Sequence, residues 1–173
     1  MEYIPGIGWT SGTGYGALLE NRKQAAIHNA GDDMEKKRVL FICTHNAGRS
    51  QMAEGYLRAR YGDRYEVFSA GTEPLPVSPY AVRVMAEIGV DISGQESKSL
   101  KEFIGVAMDI AVMVCDSAQK TCPAFPWAKR TIHHGVPDPG TLQGSDEEIM
   151  NGFRAIRDDL VEWIKTEFGS VPL

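Results

Sequence analysis

No apolar run in this chain approaches the ~20 residues that an α-helix needs to cross a bilayer, so the sequence offers no membrane-spanning helix. Its first residues lack the basic start and apolar core of a secretory signal, and a cytoplasmic location is expected. There is no basic block either. Eighteen Lys and Arg stand against 23 Asp and Glu, and a net charge of −5 excludes the electrostatic footprint of a nucleic-acid partner. The same acidic balance gives no long-range attraction for an anionic substrate, so an anion site here must work through a local field. Cysteine is scarce, with 3 in 173 residues. An odd number in a chain too long to need disulfide staples fits a reducing compartment, where a thiol is kept for reactivity. Zinc is poorly served. Cys43 is remote in sequence, and Cys115 and Cys122 are separated by six residues rather than the about two to four of structural sites. No metal and no cofactor is expected.

What is present fits one soluble domain: 43% hydrophobic and 24% charged residues over a length able to bury a substantial core. Residues 1–36 differ from the rest. Pro5, Gly6, Gly8, Gly12, Gly14 and Gly16 interrupt the first stretch, Ala17 to Ala30 carries a short helical pattern, and residues 31–33 read as a linker. This part is expected to be a flexible N-terminal extension, with residues 37–173 as the domain.

From residue 37 strands and helices alternate. Arg38–Ile42 is a strand, and Met52, Ala53, Tyr56 and Leu57 mark the buried face of a helix over Gln51–Tyr61. Tyr65–Ser69 is a second strand. Ser78 and Pro79 open a helix whose face is Val82, Met85 and Ala86, with Gly89 as its stop. Ser97–Ile104 reads as a short helix, Ile110–Val114 as a buried parallel strand and Thr131–His133 as a shorter one. Ser145 to Glu148 is a capping box, followed by a stripe of Ile149, Phe153, Ile156, Leu160 and Ile164. The order implies an α/β domain of three layers, a four-stranded parallel sheet with helices on both faces, whose site lies at the carboxyl ends of the strands.

At one such end stands Cys43-Thr44-His45-Asn46-Ala47-Gly48-Arg49-Ser50, between an apolar strand and a helix that begins after Arg49. This places a thiol at the bottom of a bowl of backbone N–H groups on a helix N-terminus, where a tetrahedral oxyanion binds. The same field favours the nucleophilic thiolate. Arg49 adds a planar fork for two oxygens of the anion, and the Ser50 hydroxyl can donate to the sulfur.

Cys115 ends the buried strand as Cys43 ends its own, and Cys122 follows seven residues later. Were the two strands neighbours, the first two sulfurs would come near one another. A short helix or loop between Cys115 and Cys122 would hold their sulfurs on the order of 10 Å apart, so bridging them requires backbone movement. Each of these cysteines read alone also fits a small buried hydrophobe. With a thiolate in an anion loop, a relay of three explains them together. Asp138, between Pro137 and Pro139 after the last strand, is placed to give a proton to a departing oxygen, although an Asp in that setting also serves as a turn residue.

These residues resemble the thioredoxin-coupled arsenate reductases, relatives of the low-molecular-weight protein tyrosine phosphatases. The resemblance covers about residues 37–168 and rests on Cys43–Ser50, Gln51-Met52-Ala53-Glu54-Gly55, Ser69-Ala70-Gly71, Asp91-Ile92-Ser93, the pair Cys115 and Cys122, and Asp138-Pro139. It implies attack of Cys43 on arsenate held by the loop amides of Thr44 to Ser50 and by Arg49, with phosphate or sulfate as competing anions. It further implies protonation of the leaving hydroxyl by Asp138, attack of Cys115 on Cys43 with loss of arsenite, a Cys115–Cys122 disulfide, and reduction of that bridge by thioredoxin or by glutathione with glutaredoxin. Two departures stand out. His45-Asn46-Ala47-Gly48 replaces a loop centre in which Gly and a further Cys are frequent, and His45 is expected to be a solvated bystander. Some members bind potassium through Asn, Glu, Ser and Asp; Asn46, Glu54 and Ser69 match three of these, while Lys98 stands at the fourth, where its ammonium could stand in for the cation or where it could be an ordinary exposed helix lysine. Alternative functions are a phosphatase acting on phosphotyrosine or a small phosphate ester, and a non-enzymatic thiol sensor or oxyanion-binding regulator. Against the phosphatase, no paired tyrosines follow Asp138-Pro139.

Overall fold

The strand Lys37–Cys43 (β1) is one of the two inner strands of the sheet, and Val39 to Cys43 are all buried because both faces of the sheet are covered. The computed structural model describes residues 35–115 and 125–170, without the side chain of Cys115; the helical pattern at Ala17 to Ala30, the segment between Cys115 and Cys122, and Cys122 itself lie outside the described residues. The helix Arg49–Tyr61 (α1) leads to the strand Tyr65–Gly71 (β2), and the helix Pro79–Glu87 (α2) follows. A 3₁₀ turn at Leu100–Phe103 precedes the strands Met108–Cys115 (β3) and Ala128–Val136 (β4), and the long helix Asp146–Phe168 (α3) closes the order. The four strands are parallel in the order β2-β1-β3-β4. The chain leaves β1 toward β2 and then returns past it to β3, so the switch point of this α/β sheet lies at the carboxyl ends of β1 and β3. Among the described residues no helix is long and apolar enough to cross a membrane.

Side-chain alternation assigns the layers. Tyr65 packs edge-on against Phe168 of α3, and Ser69 donates a hydrogen bond to Glu54 of α1, so the odd residues of β2 face those helices. Phe68 points the other way and meets Phe103 of the 3₁₀ turn at 5.8 Å between ring centres. Helix α2 leans on α3, where Arg157 donates to the Val84 carbonyl at 2.8 Å and Arg154 pairs with Glu87.

Several elements differ in detail from their sequence reading. Helix α1 begins at Arg49 rather than after it, which places Arg49 and Ser50 in its first turn. Ser97–Ile104 is no helix along its length; its middle is the 3₁₀ turn, closed by a reciprocal capping box of Ser99 and Glu102. The buried face of α2 is Ala81, Val84 and Met85, with Ala86 exposed, because the helix turns its 81/84/85 phase to the core. In α3 the capping box of Ser145 and Glu148 forms as expected, yet Met150 heads the buried stripe and Ile149 is only half-buried. Strand β4 is three times longer than Thr131–His133, since its outward residues are polar and hide the apolar period.

Candidate active site

The loop after β1 is shaped from outside. The segment after β2 donates backbone hydrogen bonds to its carbonyls: Glu73 to Thr44 at 2.8 Å, Leu75 to His45 at 2.9 Å and Ser78 to Ala47 at 2.7 Å. In a planar trans peptide the N–H points opposite to the C=O. Carbonyls turned outward at residues 44, 45 and 47 therefore turn the N–H groups of His45, Asn46 and Gly48 inward. The Asn46 N–H does reach the Cys43 sulfur, at 3.1 Å. Asn46 adopts φ +48°, the left-handed region that a short polar side chain tolerates, and this curls the loop. Gly71, at the end of β2, lets the loop lie close: a Cβ there would stand 2.6 Å from the Thr44 carbonyl oxygen and 2.8 Å from the Asn46 nitrogen.

Below the loop a buried chain of hydrogen bonds has one direction. The Glu54 carboxylate, set between Arg58 and Lys98, accepts from the Ser69 hydroxyl. Ser69, having given its proton to Glu54, accepts from the Asn46 amide at 2.8 Å. The second amide proton of Asn46 goes to Ser50 at 2.8 Å. The Ser50 proton is then left for Cys43, whose sulfur lies 2.9 Å from the hydroxyl oxygen. Cys43 thus receives two hydrogen bonds that suit a thiolate, one from the Ser50 hydroxyl and one from the Asn46 backbone N–H. The Asn46 side-chain oxygen is fixed in turn by the Lys98 N–H at 2.7 Å and by Gln51 at 3.0 Å, which sets the amide the right way round.

Lys98 corrects the sequence reading. It lies outside any helix, partly buried, with its ammonium 3.4 Å from Glu54 and 2.9 Å from the Glu96 carbonyl oxygen. A cation of the chain itself thus meets Glu54, and the backbone N–H of the same residue meets Asn46.

Arg49 is 4% exposed. Its guanidinium donates to the Val136 carbonyl at 3.2 Å and lies 3.3 Å from the Asp138 carboxylate. Asp138 also caps the turn Pro139–Thr141 by accepting from the Gly140 N–H at 3.0 Å, so a turn residue lies in the pocket lining. Cys43, His45, Arg49 and Asp138 line one pocket of about 320 Å³. His45 is half-buried there. Strand β3 lies beside β1 with Ile42 opposite Met113, so the backbones of Cys43 and Cys115 reach the same sheet edge on neighbouring strands.

Sequence reasoning missed the pocket's apolar wall, formed by Leu75, Tyr80, Leu142, Ile149 and Phe153. Tyr80 stacks on Phe153 with ring centres 5.4 Å apart, giving the wall aromatic surface where no paired tyrosines follow Asp138-Pro139. Its hydroxyl hydrogen-bonds the Asp146 carboxylate, which raises the phenol above its ordinary range. One signal was available: Leu75 is an apolar residue between two prolines, an unusual choice for a loop.

A thiol under an N–H bowl on a parallel α/β sheet, with an arginine and an aspartate at its edge, defines a class of oxyanion-handling enzyme. The chain belongs to the low molecular weight phosphotyrosine protein phosphatase family, whose model matches residues 38–168. Within that family it is similar to several proteins named arsenate reductase. The arsenate reductase of Halalkalibacterium halodurans is 44% identical over 133 residues, 77% of this chain and 96% of that one. A solved arsenate reductase in its phosphate-binding state superposes with a TM-score of 0.65 at 30% identity, over 75% of this chain and 95% of the other. The thioredoxin-dependent arsenate reductase of Corynebacterium glutamicum gives 0.55 at 28%, over 87% and 73%.

Proposed function

We propose that this chain, an arsenate reductase, works through a Cys43 thio-arsenate adduct and a Cys43/Cys115/Cys122 disulfide relay. The observation that carries the reading is the pocket in which the Cys43 sulfur, hydrogen-bonded by Ser50 and the Asn46 amide, shares its walls with Arg49 and Asp138. The bowl from Thr44 to Ser50 takes the oxygens of arsenate, or of a competing phosphate or sulfate. The thiolate attacks arsenic, and the departing hydroxide leaves as water with a proton from Asp138. Cys115 then attacks the Cys43 sulfur. The S–As bond breaks with its electron pair retained on arsenic, and arsenite leaves. Cys122 attacks Cys115, frees the Cys43 thiolate and carries the bridge to Cys115–Cys122, where a dithiol protein of the thioredoxin or glutaredoxin kind reduces it in the cytoplasm. The chain needs no cofactor in this scheme, and residues 37–173 supply all of its groups.

Turnover with each purified donor system in turn tests the scheme. Cys43→Ser should release no arsenite while remaining folded. Cys122→Ser should release one equivalent per enzyme and stop, and Cys115→Ser should retain arsenic on Cys43. Peptide mapping of the oxidised wild type should find Cys115 joined to Cys122. Sustained turnover of Cys122→Ser with thioredoxin as sole donor would eliminate the relay, and arsenite release by folded Cys43→Ser would eliminate the adduct.

A further inference from the structure

With an oxyanion bound, the described lining of the pocket carries more negative charge than fixed positive charge. A reactive Cys43 contributes a thiolate, and Arg49, lying 3.3 Å from Asp138, is shared with that residue. An incoming tetrahedral oxyanion adds one or two further charges. The inward N–H groups and the N-terminus of α1 offset part of this, but they carry only partial charge. The whole chain, at −5, offers nothing at long range.

Among the described residues that line the pocket, the ionisable or charged side chains are Cys43, His45, Arg49, Tyr80 and Asp138. Tyr80 is committed to the Asp146 carboxylate. Glu73, beside the loop, is exposed and not part of the lining. Among these, His45 alone can add a positive charge under ordinary conditions. Its backbone is held, with the carbonyl accepting from Leu75, while among the described residues its ring has no hydrogen bond, ion pair or ring contact. A half-buried imidazole without a partner among the described residues, in the lining of an anion pocket, is available to the ligand itself.

We propose that the His45 side chain, in its protonated form, is a further anion-binding group of this pocket, so that oxyanion binding takes up a proton at His45. The proposal deepens the oxyanion reading of Cys43 and Arg49 and rests on it. Imidazole is the side chain whose charge changes between about pH 5 and 8. Binding should therefore be strongest at the acid end of that range and should weaken as the ring loses its proton. The ligand also titrates, and comparing variants on the same ligand cancels that contribution.

The test uses inorganic phosphate as a non-reducible probe, with its Kd measured by calorimetry from pH 5.5 to 8 on the full chain, its His45→Gln variant and its His45→Lys variant. His45→Gln should weaken phosphate roughly tenfold at pH 5.5, the scale of one well-placed charge near a protein surface, and the difference should shrink toward pH 8. His45→Lys should bind tightly across the whole range. In buffers of different ionisation enthalpy, wild type should take up more protons on binding near neutral pH than His45→Gln does. Equal affinity of wild type and His45→Gln at pH 5.5 would overturn the proposal. So would a loss by the same factor at every pH, which would make His45 a packing or hydrogen-bonding residue. Absence of phosphate binding by all three proteins would remove the oxyanion reading beneath it as well.

Discussion

The floor and the rim of this pocket are built in opposite ways. On the floor, Asn46, Ser50, Ser69 and Glu54 are buried and tied into one directed chain that ends on the Cys43 sulfur. At the rim, His45 and Tyr80 are half-buried, Leu75 is half-exposed, and Asp138 is tied to a small turn. Burial makes the floor intolerant, because every polar group there must keep its partner. Exposure leaves the rim adaptable. In the proposed mechanism the difference separates two jobs: the floor would make the nucleophile, and the rim would choose the anion and supply the proton.

Replacing Arg49, which belongs to the floor by burial and to the rim by its partner Asp138, should give the largest effect. Arg49→Lys keeps the charge and loses the fork, so kcat/KM for arsenate should fall by about 10²–10³. A loss under threefold would place Arg49 outside the oxyanion contacts. Asp138→Asn comes next. Single-turnover formation of the Cys43 adduct should slow about a hundredfold, while phosphate binding holds or improves. Adduct formation at the wild-type rate would leave Asp138 as a turn residue only.

Ser69→Ala probes the floor away from any ligand. It leaves Glu54 and Asn46 each short of a partner, which should cost about 1–3 kcal/mol of stability, readable in denaturant melts. Because Asn46 would no longer be oriented, alkylation of Cys43 by iodoacetamide at neutral pH should slow severalfold. Unchanged alkylation would show that Ser50 orients its proton without the chain below it. The smallest effect lies outside the pocket. Hydrogen bonds from Arg154 and Arg157 hold Glu87 down to about 2 from 4.5. A carboxylate depressed on folding contributes stability that is present above about pH 4.5 and is lost as pH falls toward about 2. Glu87→Gln should therefore flatten the acid limb of a stability–pH curve slightly and leave phosphate binding untouched. An unchanged acid limb would show that the ion pairs are equally formed in the unfolded chain.

What could be read from the sequence follows the same division. The part of the floor from Cys43 through Ser50 is one strand–loop–helix unit, and so its chemistry was legible from spacing, whereas Ser69 joins it from β2. The rim is assembled from four separated stretches around Leu75, Tyr80, Asp138 and Ile149, and no local pattern brings them together. Ile149 illustrates the cost. At helical spacing it fits the core stripe of α3 as well as Met150 does, and only the tertiary phase sends it to the pocket wall. The central strands β1 and β3 declared themselves as continuous apolar runs, whereas β4, polar on its outward side, showed a third of its length. Lys98 was misplaced because its role depends on Glu54, distant in sequence and adjacent in space.

The outward pinning of the loop by residues 73, 75 and 78 has a thermodynamic consequence. Immobilising a free loop on a ligand costs about 1–2 kcal/mol of conformational entropy per residue, enough over six residues to cancel micromolar affinity. Here that loss is incurred when the chain folds, and the arriving anion finds the backbone ordered. Affinity is thereby coupled to folding at a remote point, the end of β2. A side chain at Gly71 would press on the Thr44 carbonyl and the Asn46 nitrogen, and damage at a residue that never meets the ligand would surface as weak anion binding.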